Sequence, residues 1–118
     1  MKILVVDDDI DLCRMLSRFL EKHGYTIYSA QDALQALDVL SREPIGMVIT
    51  DFHMPHLDGI RFTEQLRADP HYSGIPIILM SGAISDELTD LGMRKGVALT
   101  LTKPIDFDRL LTLVKFAE

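Results

Sequence analysis

Short apolar runs alternate with helix-period segments five times along the chain. The first run, Ile3 to Val6, is apolar at every position and ends abruptly in Asp7, Asp8 and Asp9. A continuous run of this kind reads as a strand buried on both faces. From Leu12 the apolar residues fall at Leu12, Met15, Leu16, Phe19 and Leu20, which predicts a helix with those residues inward. His23 suits the negative end of that helix, and Gly24 supplies a left-handed stop. Tyr25 to Ser29 predicts a short second strand. Asp32 caps a second helix with a stripe of Ala33, Leu34, Ala36, Leu37 and Leu40, closed by Pro44. Met47 to Thr50 is the third strand and runs into Asp51. A turn at Met54-Pro55 leads to a helix from Gly59 to Arg67, then a loop from Pro70 to Gly74. Ile75 to Met80 is the fourth strand. Ser85 caps a helix that carries Asp86 and Glu87 in its first turn and stops at Gly96. Val97 to Leu101 is the fifth strand. Lys103-Pro104 breaks the chain, and Asp106 caps a last helix with Leu110, Leu111 and Val114 inward.

This (βα)5 order predicts an α/β fold: a parallel sheet, right-handed crossovers and helices on both faces. No repeat, linker or low-complexity stretch interrupts it, so residues 1–118 read as one domain. The formal net charge of -6, with no run of Lys or Arg, argues against a nucleic-acid or anionic-membrane binder. A lone cysteine, Cys13, allows no intrachain disulfide and reads as a buried helix residue. No signal-peptide pattern or membrane-length apolar stretch is present, and a cytoplasmic location is expected.

In an open parallel sheet the functional crevice lies beyond the carboxyl ends of the strands. Strand one ends there in Asp7, Asp8 and Asp9, strand three in Asp51, strand four in Ser81-Gly82 and strand five in Lys103. Adjacent carboxylates raise the cost of ionising one another. A hard divalent cation such as Mg²⁺ relieves that cost, because it takes oxygen ligands from one or two carboxylates and a phosphate. Lys103 suits a phosphoryl oxygen, Ser81 can bond another, and Gly82 leaves room beside the backbone. A carboxylate among these groups can itself be the nucleophile. Asp51 is the choice, because it stands alone while Asp7 and Asp8 form a pair suited to the metal. Asp9, Asp11 and Asp58 read as helix-cap or turn residues.

The segments ILVVDDD, VITDFHMPHLDG, IILMSGA and LTKP stand in this order from Lys2 to about Phe116. Together they resemble the CheY-like receiver domain of bacterial two-component response regulators. The resemblance implies the doubly wound, flavodoxin-like three-layer sandwich with strand order 2-1-3-4-5. It implies a signalling switch rather than an enzyme: Asp51 accepts a phosphoryl group from a histidine kinase or phosphotransfer protein. Asp7, Asp8, Asp51 and the backbone carbonyl of His53 would hold Mg²⁺ or Mn²⁺. Ser81 matches the switch hydroxyl and Lys103 the lysine that pairs with the phosphoryl group, with a cis bond to Pro104. His53 and Ala83 would tune the phosphoryl lifetime. Output is expected through helix 4, strand 5 and helix 5, a face that could also support a phosphorylation-dependent dimer. Thr100 departs from the family, which commonly has an aromatic residue three positions before the lysine.

Other readings fit less well. A haloacid-dehalogenase-type phosphatase would find its D-x-D in Asp7-Asp8-Asp9, but it would want a Thr or Val downstream, where Ile10-Asp11 follows, and a cap insertion. An FMN binder would want a Ser/Thr/Gly-rich loop where this chain has DDDID. A calcium loop would want Gly at Leu12 and Glu at Arg18. Thr100 alone favours a receiver-fold interaction module that does not signal by phosphate.

Overall fold

A computed structural model describes residues 1–118. The elements alternate as β1 (Lys2–Val6), α1 (Ile10–Glu21), β2 (Thr26–Ala30), α2 (Ala33–Arg42), β3 (Met47–Asp51), α3 (Gly59–Ala68), β4 (Ile77–Ser81), α4 (Asp86–Lys95), β5 (Leu99–Thr102) and α5 (Phe107–Ala117). One parallel sheet results, in the order β2-β1-β3-β4-β5. This is the fold class read from the chain, with the reversal of strand order falling between β1 and β3.

Pleating explains the continuous apolar runs. Ile3 and Val5 join Met47, Ile49, Ile78 and Met80 in one core, with Leu16 of α1 and Leu110 of α5. Leu4 and Val6 join Val48, Ile77 and Leu79 in the other, with Ala36 of α2, Phe62 of α3 and Val97. Successive residues of one strand thus serve opposite layers. Each fully buried aliphatic side chain contributes about 1.5–3 kcal/mol. Every helix starts on an oxygen-bearing cap: Asp9, Asp32, Asp58, Ser85 and Asp106 accept backbone N–H groups of their first turns. Asp9 and Asp58 are therefore cap residues, as read from the chain, whereas Asp11 is neither cap nor turn but a helical residue in the first turn of α1, where its charge suits the helix dipole. Gly24 and Gly96 take φ values of 92° and 108°, the left-handed conformation that helix stops demand.

Three strands begin later than their apolar runs suggest. Tyr25, Ile75 and Val97 read as strand residues, but their N–H groups donate back to Leu20 O, Tyr72 O and Gly92 O. Those bonds close the preceding helix or turn, and the sheet ladder starts one or two residues on. Two residues of the helical stripes also face water: Met15 is 50% and Leu34 78% exposed. The stripe on α1 is narrower than its sequence, and α2 has no layer above Leu34.

Candidate functional site

The strand ends converge as the topology requires. Asp7 follows β1 and is fully buried; its N–H donates to Ala30 O at 3.0 Å, extending the β1–β2 ladder by one step. Asp51 is the last residue of β3, 5% exposed and paired with Met80 of β4. Lys103 follows β5, and its N–H donates to Ser81 O at 2.8 Å. Its ammonium lies 2.7 Å from Asp7 Oδ2 and 3.3 Å from Asp51 Oδ1. Asp8 is exposed, yet a carboxylate oxygen from each of Asp7, Asp8 and Asp51 can be chosen so that all three lie within 4.8 Å of one another.

This set fits a small hard cation. Ligand oxygens about 2.0–2.1 Å from Mg²⁺ stand ~2.9 Å apart when adjacent and ~4.2 Å when opposite, so the carboxylates would draw inward to hold the ion. The second oxygen of Asp7 is already engaged, accepting the Asp9 N–H at 2.9 Å. Asp9 itself turns away to cap α1, accepting the Leu12 N–H at 3.1 Å, and takes no place in the cluster.

Electrostatics follow from burial and neighbours. Burial pushes the Asp51 carboxyl above the ordinary carboxylate range, and the charge of Asp7 pushes the same way. The Lys103 ammonium opposes both without cancelling them. For Lys103, burial favours the neutral amine, but its hydrogen bond and charge interaction with Asp7, joined by Asp51, outweigh it and raise its pKa. A carboxylate kept costly to ionise, beside a firmly protonated amine, gains from any new positive charge nearby.

Around this centre, Ser81 is buried at the end of β4, and its hydroxyl accepts the Ala83 N–H at 3.2 Å. Gly82 and Ala83 are exposed, and a Cβ on Gly82 would meet nothing within 4 Å. The His53 ring is exposed and sits edge-on to Phe52 at 4.7 Å. Thr100 lies half-buried on β5, opposite Leu79. The Lys103–Pro104 peptide is cis.

Two positioning residues escaped the sequence reading. Gly59 opens α3 directly against the end of β3: a Cβ there would stand 2.5 Å from Asp51 O and 2.8 Å from Leu79 Cδ1. Its N–H donates to Phe52 O at 2.8 Å, which fixes the turn after Asp51. The only signal was a glycine directly after the cap Asp58 where a better helix former would otherwise be expected. Cys13, read correctly as buried, also donates its thiol to Asp7 O at 3.4 Å. Burial pushes that thiol up to about 11, so it is inert as a nucleophile at neutral pH.

Residues 3–115 match the family model described as response regulator receiver domain. Protein PilH of Pseudomonas aeruginosa is 36% identical over 112 residues, spanning 93% of this chain and 91% of that protein. Transcriptional regulatory protein GlrR of Escherichia coli K12 is 36% identical over 111 residues, spanning 92% of this chain and 24% of that protein. The chain thus spans about a quarter of the length of the transcriptional regulators it matches. The structure of chemotaxis response regulator CheY4 of Vibrio cholerae superposes with a TM-score of 0.93 at 29% identity, over 99% of this chain and 98% of that one.

Proposed function

This chain belongs to the response regulator receiver domain family, a family of phosphorylation-dependent signalling switches, and from that premise we propose that Asp51 is the phosphoryl acceptor. An Asp51 carboxylate oxygen attacks phosphorus in line, and the bond from phosphorus to the donor breaks with its electron pair leaving on the donor. Lys103 needs no rearrangement for this step. Asp7 holds its ammonium at 2.7 Å, already beside Asp51, where it offsets charge on the transferring oxygens. Mg²⁺ or Mn²⁺, held through Asp7, Asp8, Asp51 and the His53 backbone carbonyl, would supply the remaining charge neutralisation.

The product asks for a new hydrogen bond that the Ser81 hydroxyl can donate. Drawing Ser81 toward the phosphoryl group pulls on Gly82 and Ala83, and so on the amino end of α4. The face made by α4, β5 and α5 then changes its partner preference or pairs with a second copy. Water later releases the phosphate, and His53 and Ala83, flanking its approach, set how fast.

The donor we infer is a phosphohistidine on a kinase or phosphotransfer protein, and the setting is the cytoplasm. No helix is long and apolar enough to cross a membrane. Exposed Met15 gains a purpose here: with Leu12, Pro104 and Ile105 it lines a groove beside Lys103 suited to an apolar donor surface.

The observation that carries this reading is a single ammonium shared by two buried carboxylates, with a third carboxylate within reach. Incubation with acetyl phosphate and Mg²⁺, followed by intact mass, tests it. Wild type should gain one phosphoryl group and Asp51→Asn none. An unmodified wild type, or an adduct that persists in Asp51→Asn, would overturn it and favour an interaction module that works without phosphate.

A further inference from the structure

α4 is the least anchored of the helices: it buries only Gly92, whereas α1, α2, α3 and α5 bury three, four, five and two residues. Its two ends are held unequally. At the amino end the chain enters through exposed Gly82 and Ala83, the Ser85 hydroxyl caps the Leu88 N–H at 3.0 Å, and half-buried Leu88 touches the core. At the carboxyl end a side chain from another helix intervenes. Arg67, in the last turn of α3, donates from Nε and Nη2 to Gly96 O at 3.1 and 2.8 Å. Its Nη1 donates to Ser73 O at 3.0 Å and Tyr72 O at 3.4 Å.

One guanidinium therefore joins the end of α3, the loop before β4 and the end of α4. Multiple donors in a fixed plane make such a joint far stiffer than a lysine could. Gly96 is shaped to receive it. A Cβ on Gly96 would stand 2.6 Å from Arg67 Nε and 2.7 Å from Arg67 Cγ, so the residue is glycine for its φ of 108° and for the guanidinium seat. Just beyond, Ala98 N–H donates to Ile77 O at 2.9 Å and ties this end to the sheet. Lys95 and Glu64 add a second link between the same helices at 3.7 Å, but both are exposed and contribute little.

We propose that Arg67 is the fixed pivot of a movable α4, clamping its carboxyl end at Gly96 while its amino end, one loop from Ser81, swings. The switching role of that swing rests on the reading of Asp51 and Ser81 given above; the clamp itself does not. At 1.5 Å rise per residue the helix is a lever roughly 15 Å long, so a tilt of about 10° moves its amino end by about 3 Å. A pivot at the far end converts a small pull on Ser81 into a tilt of the exposed helix rather than a loss of its packing.

Amide hydrogen exchange by NMR on the full chain tests the pivot. In resting wild type, residues 88–91 should exchange faster than residues 96–98. Arg67→Met keeps the aliphatic stem and should raise exchange at Gly96, Val97 and Ala98 more than tenfold, leaving β1 and β3 amides unchanged. Arg67→Lys should fall between, and it decides the matter if the methionine variant does not fold. Unchanged exchange at 96–98 in the variant, or equal exchange at both ends of α4 in wild type, would overturn the proposal. With acetyl phosphate and Mg²⁺, the wild-type changes should concentrate in residues 83–91; concentration in 94–98 would also overturn it. If wild type takes up no phosphoryl group, the acceptor assignment fails, and the resting exchange still decides the pivot.

Discussion

The two walls of the carboxylate site are built differently. On one side β1, β3 and β5 deliver Asp7, Asp51 and Lys103, with both carboxylates buried and the ammonium hydrogen-bonded to Asp7 and ion-paired with Asp51. On the other side Ser81 is buried, but its hydroxyl accepts a single backbone N–H, and the chain leaves it through exposed residues toward a weakly anchored helix. Bond making needs groups held to a fraction of an ångström. A switch needs an element whose alternative states lie within a few kcal/mol of one another. The site meets both demands by assigning them to different strands.

The contrast can be broken most severely from the rigid side. Lys103→Met leaves buried Asp7 without its cation, and in metal-free buffer it should cost about 3 kcal/mol. Urea unfolding measures this, and a loss below roughly 1 kcal/mol would mean that Asp7 is solvated after all. Gly59→Ala comes next. The clash with Asp51 O and Leu79 Cδ1 should cost about 1–3 kcal/mol, read as a lower urea midpoint at constant slope.

Asp51→Asn should have the opposite sign. Burial and Asp7 make the native Asp51 hold its proton more tightly than the unfolded chain does. Wild-type stability therefore falls as pH rises from the ordinary carboxylate pKa through the raised native one, with a slope bounded by about 1.4 kcal/mol per pH unit for one proton. Without divalent cations the asparagine variant should lose that slope and be the more stable protein at pH 7, as thermal melts across pH 3–8 would show. Mg²⁺ should reverse the wild-type penalty, adding about 1.4 kcal/mol when tenfold above its Kd. Asp8→Asn should blunt that gain, and an equal gain in the variant would move the cation elsewhere.

The smallest effect belongs to the loose side. Ser85→Ala removes the α4 cap and Asp58→Ala the α3 cap, each a loss of about 1 kcal/mol locally. The α3 change should lower the global urea midpoint. The α4 change should appear mainly as faster hydrogen exchange in residues 86–91. Equal global losses would make the two walls equally cooperative.

Much of this molecule was legible in the chain. Alternation of apolar runs with helical stripes sufficed for the (βα)5 order, because each strand must fill two layers and each helix one. Asp9, Asp32, Asp58, Ser85 and Asp106 are caps in the structure, while Asp11, read as a cap or turn residue, falls inside the first turn of α1. The carboxyl-end rule brought Asp7, Asp51, Ser81 and Lys103 to one rim. Boundaries were less legible at Tyr25, Ile75 and Val97. An apolar side chain reports burial, and burial is the same whether the residue's N–H serves a ladder or closes a helix. Met15 and Leu34 were misplaced because a stripe specifies a face, and the neighbouring layer decides how much of it is covered.

Local chemistry, written in residue order, determined the elements, their caps and the inventory of charged groups at the strand ends. Only the folded chain decided that Lys103 bonds Asp7 more closely than Asp51, that Gly59 must lack a side chain, and that Arg67 reaches Gly96. These depend on distances between segments far apart in the chain, set by how sheets twist and helices pack.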